Sequence, residues 1–325
     1  GQENTAIGHQ ALTADTKGIR NVAVGAGTLV TQNFTTATSS YNTAVGYSAG
    51  NAVTTGTENT LIGALAGDAL TDVDYNTAIG KSALSTDTLG SKSTALGAYA
   101  LQTQNFTTAT DSHNTAIGNN AGGAVTTGTS NTLIGSLAGD ALTDADFNIA
   151  IGVNSLTSDT LGSRSVAIGM GTLQTQNFTT ATNSHNTAVG YHAGQEVTTG
   201  VQNTLIGALA GDSITDANNN IALGYAALST NQRGAFNVAV GVGALQTANP
   251  SGAADTYNTA VGFDAGNAVT TGARNTLIGA LAGDDLTTGG DNVAVGYEAL
   301  KNEDAHSRNT AIGTQALFSL NAGAD

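Results

Sequence analysis

The side chains in this sequence most able to do chemistry are carboxylates, and they come in clusters. Asp68, Asp72 and Asp74 recur as Asp140, Asp144 and Asp146, then as Asp212, Asp216 and Asn218, and finally as Asp284 and Asp285. Closely spaced carboxylates on a loop are hard oxygen donors of the kind calcium takes. Asp68, Asp72, Asp74, Asp140, Asp144 and Asp146 are therefore calcium candidates, although their spacing fits no standard calcium loop and the pattern erodes along the chain. A second possible chemistry is glycoside hydrolysis, which needs two carboxyls about 5–10 Å apart in a groove, one with a raised pKa. Repetition speaks against it, since a catalytic pair is normally unique. The simplest reading is a solvated acidic loop in which Asp fixes turns. The expectation is no catalytic residue, no cofactor and no resident metal.

The histidines are His9, His113, His185, His192 and His306. His113 and His185 are repeat equivalents of Tyr41 and Tyr257, so that position takes a flat amphipathic ring, expected to pack the loop before it. No Ser-His-Asp set stands out, and the absence of Cys excludes disulfides and zinc-thiolate sites. Phe34, Phe106 and Phe178 fall at loop tips, while Tyr47, Tyr191, Tyr225, Phe263 and Tyr297 follow a repeated Gly. Exposed rings stack on sugars or anchor protein partners. Candidate surface-recognition residues are therefore Phe34, Phe106, Phe178, Tyr47, Tyr191 and Phe263. The competing expectation, and the simpler one, is that each Phe folds back to plug its own loop.

A single phrase, Asn-Thr-Ala-Ile-Gly, must position all of these groups. Its Gly falls at Gly8, Gly25, Gly46, Gly63, Gly80 and so on to Gly313, eighteen times, in steps of 17 residues with every fourth step 21. Four steps make a 72-residue unit. A fixed period of this length is the mark of a solenoid whose turns stack one on the next. The first position is Asn, except at Ser93 and Ser165; the second is Thr, Val or Ile; the third is Ala, or Leu at Leu61, Leu133, Leu205 and Leu277. The fourth is Ile, Val or Leu, and the fifth is always Gly.

Strand side chains alternate faces, so the second and fourth positions share one face and the first and third share the other. The bulky, β-branched face is expected inside the coil. The small Asn/Ala face is expected outside, covered by the far wall of the coil or by an identical chain, since a strand buried on both faces loses its polar alternation. The Asn column makes either an axial amide ladder or turns closed on its own backbone. The Gly marks a bend. After it, sequences such as Ala11-Leu12 and Ala83-Leu84 are expected to form a second short strand or bend. Each 21-residue turn carries its extra residues in a loop such as 31–36, expected to project every ~19 Å along a rod of roughly 85 Å.

Composition bounds the partners. The net charge is −15, and the nine basic residues are scattered, which disfavours nucleic acid. No stretch approaches the roughly 20 apolar residues of a membrane span, and no signal peptide opens the chain. One phrase runs throughout, so residues 1–325 read as a single repetitive domain. Neither end carries the cap a solenoid needs, which suggests a segment of a longer protein.

Ser165-Val166-Ala167-Ile168-Gly169 resembles the signature of trimeric autotransporter adhesin heads, and Asn21-Val22-Ala23-Val24-Gly25 is close to it. The commoner form, Asn-Thr-Ala-Ile-Gly-x-x-Ala-Leu, is similar to repeats in phage and marine bacterial tail-fibre proteins. The resemblance covers all eighteen turns and implies an all-β, left-handed parallel β-roll with three chains on a common axis. Turns of 17 and 21 residues are longer than that family's usual turn. The implied role is a non-catalytic segment of an extracellular fibre, on a bacterial surface or a virion, attaching to a host-surface receptor or glycan. The alternatives are a polysaccharide-cleaving tailspike and an ice-binding solenoid; taking the motif Thr as inward weakens the latter.

Overall fold

The structure is a computed structural model and describes residues 2–302 and 304–319. It is a parallel β-solenoid of about eighteen turns, with no helix among the described residues. The chain divides into two compact units, Gly1–Ser163 with Thr179–Ala181, and Arg164–Phe178 with Thr182–Asp325.

In the first unit, nine three-residue strands run from Thr5–Ile7 to Ile149–Ile151, each on the second to fourth positions of the repeated phrase. They pair parallel and in strict register: Thr43 with Thr60, Ala44 with Leu61, Val45 with Ile62. The backbone ladder runs past the strand, from Thr43 N donating to Asn59 O (2.8 Å) through Gly63 N to Val45 O (2.8 Å) to Gly67 N and Ala83 O (2.9 Å). Bends as well as strands thus satisfy their amides on the adjacent turn, as a buried backbone must. The second unit repeats this from Val166–Ile168 to Thr310–Ile312, again with nine strands.

The strand faces the opposite way from the sequence expectation. Asn and Ala point inward: Ala44, Leu61, Ala78, Asn42 and Asn59 are fully buried. The β-branched second and fourth positions point outward, and Ile62 and Leu96 are 36% and 40% exposed. The physical reason is width. A 17-residue turn encloses little space, and its interior is already filled by leucines from the bends. Leu84, Leu101 and Leu70 are fully buried, which leaves room on the strand wall only for Ala, Asn and an occasional Leu. The Ala-Leu segment after the Gly is a bend, not a strand. Its Leu adopts a left-handed backbone, φ 53° at Leu84. That conformation costs about 1–2 kcal/mol, an amount that burying the whole Leu side chain, about 1.5–3 kcal/mol, offsets.

The Asn column is an axial ladder. Asn42 Oδ1 accepts from Asn59 N (2.9 Å) and Nδ2 (3.2 Å), and Asn59 Oδ1 accepts from Asn76 N (3.0 Å). Each Nδ2 also donates to the bend of the next turn, Asn59 to Val73 O (2.7 Å) and Asn76 to Gly90 O (2.9 Å). The repeated Gly is required by the stacking: at Gly46, φ 136°, a Cβ would lie 2.5 Å from the carbonyl oxygen of Gly63.

The longer turns keep their extra residues close. They add a two-residue parallel pair, Gly18–Ile19 with Thr38–Ser39 and Gly90–Ser91 with Thr110–Asp111 in the first unit, and Gly234–Ala235 with Ala254–Asp255 in the second. Beneath the second of these lies a buried polar cluster. Gln104 Nε2 donates to Asp87 Oδ2 (2.6 Å) and to Ser93 Oγ (2.8 Å), Gln104 Oε1 accepts from Asn114 Nδ2 (2.9 Å), and Ser93 and Ser112 hydroxyls meet at 2.5 Å.

Candidate functional site

The outward strand face runs through all nine three-residue strands of each unit. Its two side-chain columns hold only Thr, Val, Ile and Leu through all eighteen turns, with no charged residue, in a chain of net charge −15. In the first unit six successive rungs place Thr in one column, at Thr43, Thr60, Thr77, Thr94, Thr115 and Thr132. The other column over those rungs is Val45, Ile62, Ile79, Leu96, Ile117 and Ile134. Nine strands about 4.8 Å apart, with columns about 7 Å apart, give a flat strip of roughly 500 Å² per unit once side-chain width is included. An uncharged patch of this size is within the range of the largest patch on a typical monomer, and such patches are often functional.

Two columns of exposed side chains border this strip. One follows the Gly, where Tyr47 (65% exposed), Tyr191, Tyr225, Phe263 and Tyr297 stand in the open. The other precedes the Asn, in a left-handed backbone at every described turn, as at Tyr41 (φ 50°) and His185 (φ 51°). It contains five of the nine basic residues, Arg20, Lys92, Arg164, Arg274 and Arg308, together with most of the remaining exposed rings. Tyr41 and Tyr257 are about half exposed; Tyr257 Oη donates to Asp255 Oδ2 of the long turn before it (3.2 Å), and both rings also pack along the column. The Arg20 guanidinium lies 5.5 Å from the Tyr41 ring centroid, donates to Tyr41 Oη (2.7 Å) and pairs with Glu3 (2.7 Å). Phe236 and Tyr257 stack at 5.1 Å, and Arg274 binds Asp291 through two bonds of 2.5 and 2.8 Å. The Arg274 partner holds the Asp291 carboxyl below the usual carboxylate range.

The six candidate recognition rings separate into two groups. Phe34, Phe106 and Phe178 are buried, 6%, 5% and 5% exposed, and so are not a recognition surface. They plug their loops: a Cβ on Gly90 would meet Phe106 Cδ2 at 2.8 Å, so the ring lies over a turn that has no side chain there. Tyr47, Tyr191 and Phe263 are exposed on the border of the strand face. Tyr191 stacks on His192, centroids 3.9 Å apart.

The calcium candidates are spread along the turns. Asp74 Oδ1 accepts from Thr57 N (2.7 Å) and Oγ1 (2.8 Å), and Asp146 does the same with Thr129 (2.7 and 2.9 Å). Asp72 accepts from Thr55 (2.5 Å), Asp144 from Thr127 (2.8 Å), and Asp140 from Thr157. Each of these bonds reaches seventeen residues, which makes the carboxylates fasteners between turns. Asp68 Oδ1 and its equivalent Asp212 Oδ1 are buried and accept no hydrogen bond. Burial pushes both carboxyls above the ordinary carboxylate range, as it does Asp284, where the Asp285 and Asp264 charges add to the effect. Among the described residues, no three His, Asp or Glu side chains converge to hold a metal ion.

The outward face was legible as a pair of columns but assigned to the wrong side. The column before the Asn was missed, apart from its four rings at the long turns. Its signal in the sequence was the concentration of Arg, Lys, Tyr, Phe and His at one repeat position. No protein-family model and no curated protein matches the chain.

Proposed function

We propose that this chain is a non-catalytic segment of an extracellular trimeric fibre, on a bacterial surface or a virion, that serves attachment to a cell surface or glycan. The observation that carries the proposal is the uncharged outward face. Three chains of net charge −15 repel one another unless they meet on a surface free of charge, and this face is free of it. Its area is roughly 500 Å² in each unit by the strand spacing, the size of patch that is often functional. Burying such a strip is worth more than leaving it in water, at about 25 cal/mol per Å² of apolar surface. Fixed repetition suits a protein selected for length. Attachment then falls to loops outside the face, such as those with the exposed Thr35, Thr36, Thr107 and Thr108.

The test is solution mass by light scattering on a sizing column. Three times 32.1 kDa is expected; a monomer sinks the proposal. A second reading, ice binding, is favoured by one observation: the motif Thr points outward, so six successive Thr rungs stand in a flat array. It requires a monomer with that face in water, and thermal hysteresis of the monomeric protein is its test.

A further inference from the structure

Resting on the attachment part of the reading above, and independent of its three-chain part, we infer that a cleft beside the fourth long turn binds a neutral, hydroxyl-rich saccharide. The repeat departs from itself here. Position 233 is Arg, where the equivalent positions hold Lys17, Leu89 and Leu161. Position 235 is Ala, in place of Ile19, Ser91 and Ser163, and position 218 is Asn, in place of Asp74 and Asp146. These exchanges undo fastenings made at the two preceding long turns. There Ser91 and Ser163 hydroxyls accept from Asp74 N (3.1 Å) and Asp146 N (3.0 Å), and Asp72 and Asp144 accept from the threonines of the turn before. Ala235 has no hydroxyl to offer, and Asp216 Oδ1 lies 3.8 Å from Arg233 Nε instead.

The result is an open cleft of about 340 Å³, lined by Asp216, Asn218, Arg233 and Asp255 with the small Ala217 and Ala235 between them. That volume lies at the small end of ligand pockets, about 300–1,000 Å³. Its polar groups are unspent. Among the described residues the Arg233 guanidinium makes no hydrogen bond, its contact being the 3.8 Å approach to Asp216, whereas those of Arg20 and Arg274 bond Glu3, Tyr41 and Asp291. Asn218 Oδ1 accepts from Val201 N (2.7 Å), which leaves Nδ2 as a donor. The Asp255 carboxylate accepts from Tyr257 Oη alone (3.2 Å). A guanidinium offers a fixed fork of donors and a carboxylate accepts from hydroxyls, so the four groups complement neighbouring sugar hydroxyls, each both donor and acceptor. Phe236 follows Ala235 in the chain, and it stacks on Tyr257 with both rings exposed. The pair gives the C–H face of a sugar an apolar surface at the rim. Two carboxylates against one guanidinium leave the cleft net negative, which selects against anionic sugars. The corresponding cleft at the first long turn, about 440 Å³, lacks this set. It is lined by Gln2, Thr16, Lys17, Ile19 and Ala37, with no carboxylate, and Lys17 Nζ already donates to Thr35 O (2.7 Å).

The test applies the full chain to immobilised neutral and sialylated oligosaccharides and measures dissociation constants for those retained. Arg233→Leu is the probing variant, since Leu89 and Leu161 show that the turn takes Leu there. Lys17→Leu is the control, and circular dichroism checks that both variants keep their turns. The expected result is binding of neutral glycans that weakens at least about tenfold in Arg233→Leu, weakens also in Asn218→Ala, and is unchanged in Lys17→Leu. Neutral-glycan binding that Arg233→Leu leaves intact, or that both leucine variants weaken equally, overturns the cleft while leaving attachment to glycans standing. Retention of sialylated glycans alone overturns the cleft and its ligand class. Retention of no glycan overturns the cleft and removes glycan attachment from the proposed function, whatever the mass of the assembly.

Discussion

Leu61 occupies the space that Gly50 leaves open: a Cβ on Gly50 would stand 2.6 Å from Leu61 Cδ1. Gly67, on the other side, would meet Leu61 Cδ2 at 2.8 Å. The bends that carry Leu elsewhere carry Gly on both sides of Leu61, so the interior keeps a constant volume while the large residue moves from the bend to the strand wall. The same trio recurs as Gly122, Leu133 and Gly139. Removing Leu61 therefore opens a cavity that nothing nearby can fill. Leu61→Ala is expected to cost about 2–5 kcal/mol, read as a fall in the denaturation midpoint. Gly50→Ala alone also destabilises, through overpacking and its left-handed backbone (φ 58°). Together the two cost less than their sum, by about 0.5–3 kcal/mol in a double-mutant cycle.

The Asn ladder yields a comparison between two equivalent positions. Ser93 replaces Asn where Ser112 and Gln104 supply hydrogen bonds to its hydroxyl. Asn21 has the same neighbours, since Ser40 Oγ bonds Asn21 Oδ1 (2.8 Å) and Gln32 bonds Asp15 and Asn42. Asn21→Ser is thus expected to be nearly neutral. Asn59→Ser has no such support and leaves Asn76 N and Val73 O unpaired, at about 1–3 kcal/mol for each buried group. Matched denaturation curves that fall together would show that the ladder is not the discriminating feature.

Acid should act on the half-buried carboxyls in a defined direction. Asp68 and Asp212 have raised values because burial disfavours their charge. An acid whose folded value is raised contributes stability below its unfolded pKa and loses that contribution as pH climbs through the raised value. Asp291, lowered by Arg274, behaves the opposite way: its contribution is present above the unfolded pKa and lost as pH falls through the lowered value. That pair is exposed and salt-screened, so its effect is small. Asp68→Asn with Asp212→Asn is therefore expected to raise the thermal midpoint near pH 7 and to lose that advantage in acid well below the ordinary carboxyl value of 3.8, where both carboxyls are protonated in the folded and unfolded chain alike. An advantage that persists in acid would assign the gain to packing rather than to charge.

Much of the architecture was legible in the chain. The Gly spacing located every described three-residue strand, because a stacked turn admits no Cβ where Gly46 faces Gly63. The plugging role of Phe106 was also open to view, since Gly18, Gly90, Gly162 and Gly234 leave a gap in every copy of the long turn, faced by Phe in three copies and by Pro250 in the last. What misled was the assumption that β-branched residues belong inside. At Ile62 and Thr60 they are outside, since the inside of a 17-residue turn is claimed first by Leu70 and Leu84 from the bends. No local pattern distinguishes these two cases. Alternation gives two faces, and only the volume of the coil decides which is the core. The border column before the Asn was hidden for a different reason: its members share a backbone conformation rather than a residue type, φ 57° at Glu58 and φ 62° at Tyr75.

Adjacent residues decide which face is which. Leu133 is fully buried, whereas Ile134 points out and is partly exposed. Lys at Leu133 places an unpaired charge in the narrow interior, a loss of more than about 4 kcal/mol, and is expected to melt the surrounding turns by circular dichroism. Lys at Ile134 and at Ile117, on successive rungs of the outward column, touches no interior group and leaves the turns intact. In a three-copy packing it sets six like charges around one axis, so the mass by light scattering is expected to fall from three chains to one with the β signal unchanged. If Ile117→Lys with Ile134→Lys instead unfolds the chain while Leu133→Lys is tolerated, the bulky face is the core after all. If both proteins keep a single, unaltered mass, the face is not where copies meet.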